Sequence, residues 1–370
     1  VTEERTSSLE GLTKEEILTK ENEEHISDQS IQHALDGAVE INNKIIPRLS
    51  SDLTALDRTG TLKMRLGINR SDYKVPTGVY AIGTPVQGAT MFVTCNYKLT
   101  VDYVRQSLAG QSCFLLVLDT KGINVWCAAG KGTFSSRELI YQLHKHQVKK
   151  VLGVRKVYLP QLGASMMEPH LVRKYTGVSV AYGPVRCEDL PEFIHNGFQA
   201  TKQMRTVTFS LKERLVLAPL ETILYAKYVV YTLVVCLMLS LLMTMKGQPF
   251  AIEYTVQGCF YGVMALMLGS IIFPMLLPKL PFKYFSHNGY LLSTVVLIPL
   301  MLNPIFPSMW LNIIFAGWLI TMIGYITFNF TGSTTFTSQS GVEIEAKQYK
   351  RFVKGMSMIG VVLIVMEVIL

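Results

Sequence analysis

The rhythm of apolar and polar positions changes once along this chain, near Leu220. Before that point short apolar stretches alternate with polar ones. After it come long apolar runs at 228–245, 254–277, 290–306, 310–328 and 355–370. Each run is close to the ~17–25 residues that a helix needs to cross a bilayer. The pattern predicts an all-α transmembrane domain of five helices over residues 211–370. Ahead of it, residues 51–210 read as one α/β domain. Residues 1–50 read as a polar helical N-terminal extension with a Thr13/Glu16 capping-box pattern.

Within 51–210 the predicted elements alternate. Apolar stretches at 90–94, Cys113–Leu118, Lys156–Leu159 and 178–182 predict strands. Residues 100–108 predict a helix closed by Gly110. Ser135 and Glu138 repeat the capping-box pattern and open a helix through His146. Residues 123–126 read as extended, broken by Gly130-Lys131-Gly132. Such alternation predicts a Rossmann-like domain with a mostly parallel sheet covered by helices. Ligands of such sheets sit beyond the carboxyl ends of the strands. Thr94, Asn96, Gln161, Gly163, Tyr182 and Gly183 fall at those ends, although each is also an ordinary capping or turn residue. Cys127 follows the extended stretch in the same way.

Charge adds topology. The net charge is +8, but the first fifty residues hold 11 acidic against 5 basic side chains, so the remainder carries +14. No nucleic-acid motif accompanies this excess, and no nucleic-acid partner is expected. Lys212, Arg214 and Lys227 precede the first run, Lys279 and Lys283 follow the second, and Lys347, Lys350, Arg351 and Lys354 precede the fifth. Only Lys246 lies in the two intervening loops. Alternate loops are thus basic, as the positive-inside rule requires, which predicts a multi-pass protein of the inner (cytoplasmic) membrane with its α/β domain in the cytoplasm. Glu253 and Glu367 are nearly the only charged groups at the runs, which favours an anchor over an ion pathway.

The chain opens on Val1, has no apolar leader in its first fifty residues, and ends inside an apolar run, as a segment of a longer protein would. Its six cysteines, at 95, 113, 127, 187, 236 and 259, include no Cys-x-x-Cys pair. Neither an iron–sulfur cluster nor a structural zinc site is expected in this chain. A reducing compartment suits such cysteines better than a disulfide framework. Cys236 and Cys259, inside the first two runs, read as packing or as a soft-metal relay.

One segment is unusual: Asn124-Val125-Trp126-Cys127-Ala128-Ala129-Gly130-Lys131-Gly132. It fails as a phosphate loop, because Val125 stands where the first glycine belongs and Gly132 where Ser or Thr should follow the lysine. A nucleophilic cysteine would need an activating group, and His144 and His146 lie on the next helix. A lone thiolate suits one axial position of a metal already held by a macrocycle, and small neighbours would let a planar ring approach. A buried cysteine in a tight turn satisfies the same pattern.

The run Asn124–Lys131 resembles the signature of the membrane corrinoid protein of microbial mercury methylation. The resemblance also covers Asp57-Arg58-Thr59-Gly60-Thr61-Leu62-Lys63-Met64-Arg65, Asn96-Tyr97-Lys98-Leu99, Leu159-Pro160-Gln161-Leu162-Gly163-Ala164 and Tyr182-Gly183-Pro184-Val185-Arg186. It continues through the five-span tail. The soluble part also resembles the corrinoid domain of the corrinoid iron–sulfur protein of the acetyl-CoA pathway. That protein carries a cysteine cluster ahead of the domain, whereas the first cysteine here is Cys95. The histidine signature Asp-x-His-x-x-Gly of other cobalamin proteins is absent, since no histidine has glycine three positions later.

The resemblance implies a corrinoid-binding domain with base-off cobalamin. Cys127 would be the catalytic residue and the lower axial ligand of cobalt. Asn124, Val125, Trp126, Ala128, Ala129, Gly130 and Lys131 would surround the cofactor, with the strand-end residues completing the pocket. The implied activity is a methyltransferase passing methyl from methyl-cobalt(III) to mercury(II), giving methylmercury. A thiolate opposite the methyl donates electron density and assists its departure as a carbanion equivalent or radical, which a soft cation accepts. Implied partners are a ferredoxin-like protein with two 4Fe-4S clusters, mercury(II), a methyl-donating methyltransferase and the lipid bilayer. Two readings stand beside it: a membrane-anchored corrinoid methyl carrier of one-carbon metabolism, and a non-enzymatic receptor or transporter with an α/β sensor domain.

Overall fold

The computed structural model describes residues 29–68, 72–248, 252–333, 336 and 339–369. The Thr13/Glu16 pattern lies outside the described residues. The chain divides into two compact units, one of Val1–Met64 with Ile68–Val207 and one of Thr208–Leu370 with Arg65–Gly67.

The first unit is built on a seven-stranded sheet. Its strands are β1 (Leu35–Ile41), β2 (Lys44–Leu49), β3 (Gly78–Ile82), β4 (Met91–Cys95), β5 (Cys113–Leu118), β6 (Lys156–Leu159) and β7 (Ser179–Tyr182), in the order β1-β2-β3-β5-β4-β6-β7. β5, β4, β6 and β7 run parallel, while β3 pairs antiparallel with β5. Every residue of β4 and β5 is buried, which is why both read as unbroken apolar runs. The helices that matter below are α1 (Ala55–Arg65), α2 (Lys98–Ser107), α3 (Val125–Lys131) and α4 (Ser136–Lys145). Ser135 caps α4 by accepting from the Glu138 amide, as its spacing predicts. From β4 the chain winds to one side, to β5, and then crosses to the other side, to β6. The winding therefore reverses between β4 and β6, which is where open α/β sheets bind ligands.

Residues 35–49 depart from the helical extension expected there. They form the antiparallel β1–β2 hairpin on the sheet edge. Its two-residue turn is Asn42-Asn43, with φ of 49° and 62°. Asparagine tolerates this left-handed backbone, and such turns match the twist of paired strands. The acidic residues masked a strand alternation that ends in a hairpin signal.

Among the described residues, the second unit contains five helices long and apolar enough to cross a membrane: Leu211–Met245, Ile252–Lys279, Phe285–Leu302, Met309–Asn329 and Gly341–Ile369. The third stops at Leu302, short of its apolar run. Pro304 disfavours helical backbone at Asn303, which sits at φ −131°, ψ 82°. The second passes through a π-helical turn at Leu268–Ile272, just ahead of Pro274. The connection after the third helix is held by Asn312, whose Oδ1 accepts from the Ile305 and Phe306 amides at 3.0 and 3.1 Å.

Candidate functional site

A largely apolar cavity of about 220 Å³ lies at the carboxyl ends of β4, β6 and β7. Val93 and Thr94 line it from β4, and Tyr158 and Leu159 from β6. Thr100 and Val104 of α2 contribute one side, and the Gly183–Cys187 turn after β7 another. Asn124, Val125 and Trp126 complete it from the connection after β5. The cavity therefore draws on separate strand ends at the switch point of the sheet.

The Cys127 segment is helical, which corrects the extended reading of 123–126. Asn124 is the N-cap at φ −64°, ψ 161°, and its Oδ1 accepts from the Cys127 amide at 2.9 Å. Gly132 closes the helix in the left-handed region at φ 76°. Val125, Ala128 and Ala129 are buried, three positions at helical spacing that face the domain core. Trp126, Gly130 and Lys131 are exposed and Cys127 is half-buried. Helix α3 thus turns its small residues inward and its indole, thiol, glycine and lysine outward. The helix escaped the sequence reading because it is only seven residues long and ends among glycines.

The open space expected beside the alanines lies elsewhere. Ala128 and Ala129 are packed in the core, whereas a β-carbon added at Gly130 would meet nothing within 4 Å. Glycine inside a helix costs about 1 kcal/mol relative to alanine. Among the described residues nothing stands where a methyl at this position would lie.

Of the strand-end candidates, Thr94 and Gly183 line the cavity. The other four are not among its lining residues. Asn96 is fully buried, and its Oδ1 accepts from the Thr120 amide, the Thr120 hydroxyl and the Gly122 amide at 3.0, 2.9 and 3.0 Å, fixing the turn that leads to α3. Gly163 gives room to the Phe134 ring, which a β-carbon would strike. Gln161 accepts from Arg205 at 2.6 Å, and Tyr182 is half-buried with its phenol pushed up by burial. Thr100, Val104, Tyr158 and Cys187 line the cavity without having been singled out from the sequence. Their only signal was position, on the helix after β4 and at the ends of β6 and β7.

The thiols of the unit differ in setting. Burial pushes Cys95 up, and pushes Cys113 up to about 12, so both stay protonated packing groups. Burial also raises Cys187, against a lowering hydrogen bond from Ser107. Cys127 alone of the four stands on the exposed side of a capped helix.

Two of the quoted sequence runs meet in a buried ion network. Lys98 Nζ donates to Asp57 Oδ1 at 2.6 Å and to Asp102 at 2.5 and 2.6 Å. Arg105 reaches Asp57 Oδ2 at 2.7 Å, Asp102 Oδ1 at 2.9 Å and the Ser50 and Asp52 carbonyls. Lys98, Arg105 and Asp57 are fully buried. Burial opposes ionisation of Asp57. The hydrogen bonds from Lys98, the Thr54 amide, His33 and Arg105 outweigh it and hold the carboxyl far below its ordinary range. Burial and the charges of Asp102 and Asp57 push the neighbouring Tyr73 phenol up to about 12. The network ties α1 to α2, the helix that follows β4.

No family model matches the chain. Sequence comparison finds relatives among curated proteins. The gamma subunit of the acetyl-CoA decarbonylase/synthase complex of Methanopyrus kandleri is 29% identical over 127 residues, 34% of this chain and 27% of that protein. The complex's gamma 2 subunit of Methanosarcina thermophila is 28% identical over 126 residues, 33% of this chain and 26% of that protein. The gamma subunit of Archaeoglobus fulgidus is 27% identical over 130 residues, again 34% and 27%. The chain spans about a quarter of the length of these relatives.

Proposed function

We propose that the first unit binds a corrinoid at the β4–β6 switch point and that the chain carries a methyl group and passes it on. One observation carries this reading: a thiol stands on a short helix whose capping asparagine and tryptophan line the cavity. The residues present suit the group. The lining is apolar, as a macrocycle's faces require, and includes the Cys187 thiol; Cys127 stands next to the lining residue Trp126 without lining the cavity itself, and the open space beside Gly130 leaves room for a flat ring. The resemblance to the corrinoid domain of the acetyl-CoA pathway agrees with relatives named for an acetyl-CoA decarbonylase/synthase complex.

When bound, the corrinoid would supply a cobalt ion that accepts and releases methyl. The protein's part follows from its own residues. The Cys127 thiolate would hold the cobalt and donate electron density to it. Asn124 holds the Cys127 amide and so fixes where the thiol stands. Trp126 lines one side of the cavity and would shield a bound ring from water. Lys131, exposed at the last turn of α3, would meet polar groups of the cofactor.

Two acceptors divide the reading. The Asn124–Lys131 run favours mercury(II), because a thiolate donor promotes transfer of methyl with its electron pair to a soft cation. The acetyl-CoA relatives lend more support to a carrier of one-carbon metabolism. A ferredoxin-like protein with two 4Fe-4S clusters would be the electron-donating partner, and a separate methyltransferase the methyl-donating one. The basic loops favour a place in the cytoplasmic membrane with the corrinoid unit inside.

The deciding experiment is an anaerobic assay of the methylated holoprotein with its reductant, offering mercury(II) or the methyl-accepting centre of acetyl-CoA synthesis. Methylmercury formation that Cys127→Ala abolishes supports the first acceptor. Transfer only to the second supports the one-carbon carrier. Full rescue by Cys127→His would overturn the thiolate's role.

A further inference from the structure

A groove of about 530 Å³ opens on the second unit, against the fourth membrane helix. Trp318, Met322 and Tyr325 of that helix line it, with Tyr228 of the first and Tyr349 and Val353 of the fifth. Two cations also line it: Lys350 and Lys354, one helical turn apart and both exposed. Neither has an ion-pair partner among the described residues. They sit where the fifth helix passes from its charged stretch, 347–354, into the apolar stretch that begins at Gly355. Tyr349 pins this part of the helix to the fourth by stacking on Phe328 at 5.5 Å and donating to the Thr321 carbonyl at 2.9 Å. From Phe328 to Trp318 the fourth helix rises about 15 Å, half of a bilayer's hydrocarbon thickness.

We propose that this groove is a binding site for one anionic phospholipid of the surrounding bilayer. Its phosphate would lie between Lys350 and Lys354, and an acyl chain along Tyr325, Met322 and Trp318. Three features fit that occupant together: two cations without an ion-pair partner among the described residues at the polar end, an apolar channel leading from them toward the bilayer centre, and aromatic side chains along it. Basic pockets between membrane helices recognise acidic headgroups in this way. A zwitterionic lipid would offer the same tail but no net charge. A second copy of this chain would have to bury Lys350 and Lys354 against a face as basic as its own, at a cost in unpaired charge.

The test uses the full chain in bilayer nanodiscs of phosphatidylcholine with a small fraction of phosphatidylglycerol brominated on its acyl chains. Bromine quenches indole fluorescence on contact. The site predicts quenching at least threefold stronger than with brominated phosphatidylcholine at the same fraction, and loss of that difference in Trp318→Phe. Lys350→Gln/Lys354→Gln should abolish the preference while leaving the melting temperature in neutral detergent unchanged. Native mass spectrometry should show one phosphatidylglycerol retained per wild-type chain and none per double variant. Equal quenching by the two lipids, a preference that survives the double substitution, or dimers that exclude lipid from the groove would each overturn the proposal.

Discussion

Asn124 and Cys127 show how one side chain can fix another. The Asn124 carboxamide accepts the Cys127 amide, so the cap that starts α3 also sets the height of the thiol above the sheet. Replacing a capping asparagine by alanine costs about 1 kcal/mol. Asn124→Ala should lower the melting temperature modestly and weaken corrinoid binding by more than that loss explains. Equilibrium titration beside thermal unfolding separates the two. Gly130→Ala should do the reverse. With nothing within 4 Å of the new methyl, the ligand-free protein should be as stable or more so, by up to about 1 kcal/mol. Corrinoid affinity should fall, and unchanged affinity would count against a ring beside α3. His146 gives a pH prediction. Burial, with Lys44 and Lys145 nearby, pushes its imidazole down to about 4 from an ordinary 6.5. A folded pKa below the unfolded one means stability held above pH 6.5 and lost as pH falls toward 4. His146→Gln should flatten that slope in thermal melts of the detergent-solubilised chain.

Elements differ in how openly the sequence declares them. β4 and β5 are buried on both faces and declare themselves as apolar runs, and α4 declares itself through the Ser135/Glu138 spacing. The hairpin of β1 and β2 hides behind acidic residues, and its one clear sign is Asn42-Asn43. Helix α3 hides because seven residues with a glycine near the end carry too little periodicity. The cavity was half legible. Strand ends gave Thr94 and Gly183, but the roles of Asn96 and Gly163 depend on Thr120 and Phe134, which tertiary packing brings beside them. The link between Asp57 on α1 and Lys98 on α2 is equally invisible at a separation of 41 residues. Removing one partner of a fully buried pair typically costs about 3–5 kcal/mol. Lys98→Met should therefore destabilise the first unit by that order and leave Asp57 and Asp102 to share the Arg105 guanidinium. Denaturant unfolding measures it, and Lys98→Met with Asp57→Asn should recover part of the loss.

At the scale of the whole chain, two solvents have shaped one sequence. The first unit buries its ions in pairs, and the second carries five apolar helices whose basic loops alternate. That alternation predicts reporter fusions after Gly247 to be active outside the membrane and fusions after Lys283 inside; the opposite result would invert the orientation. Apolar length alone made the helix count legible. The ends were set by local chemistry, as at Asn303 before Pro304, and this a hydropathy run does not show. The account's central claim joins the cavity, the capped helix and the thiol into one corrinoid site. The most direct measurement is the visible absorption spectrum of the full chain, purified anaerobically and reconstituted with cobalamin, wild type against Cys127→Ala. One corrinoid per chain is predicted, with a spectrum that changes when the thiol is removed. A chain that retains no corrin absorbance, or a spectrum indifferent to Cys127→Ala, would contradict it.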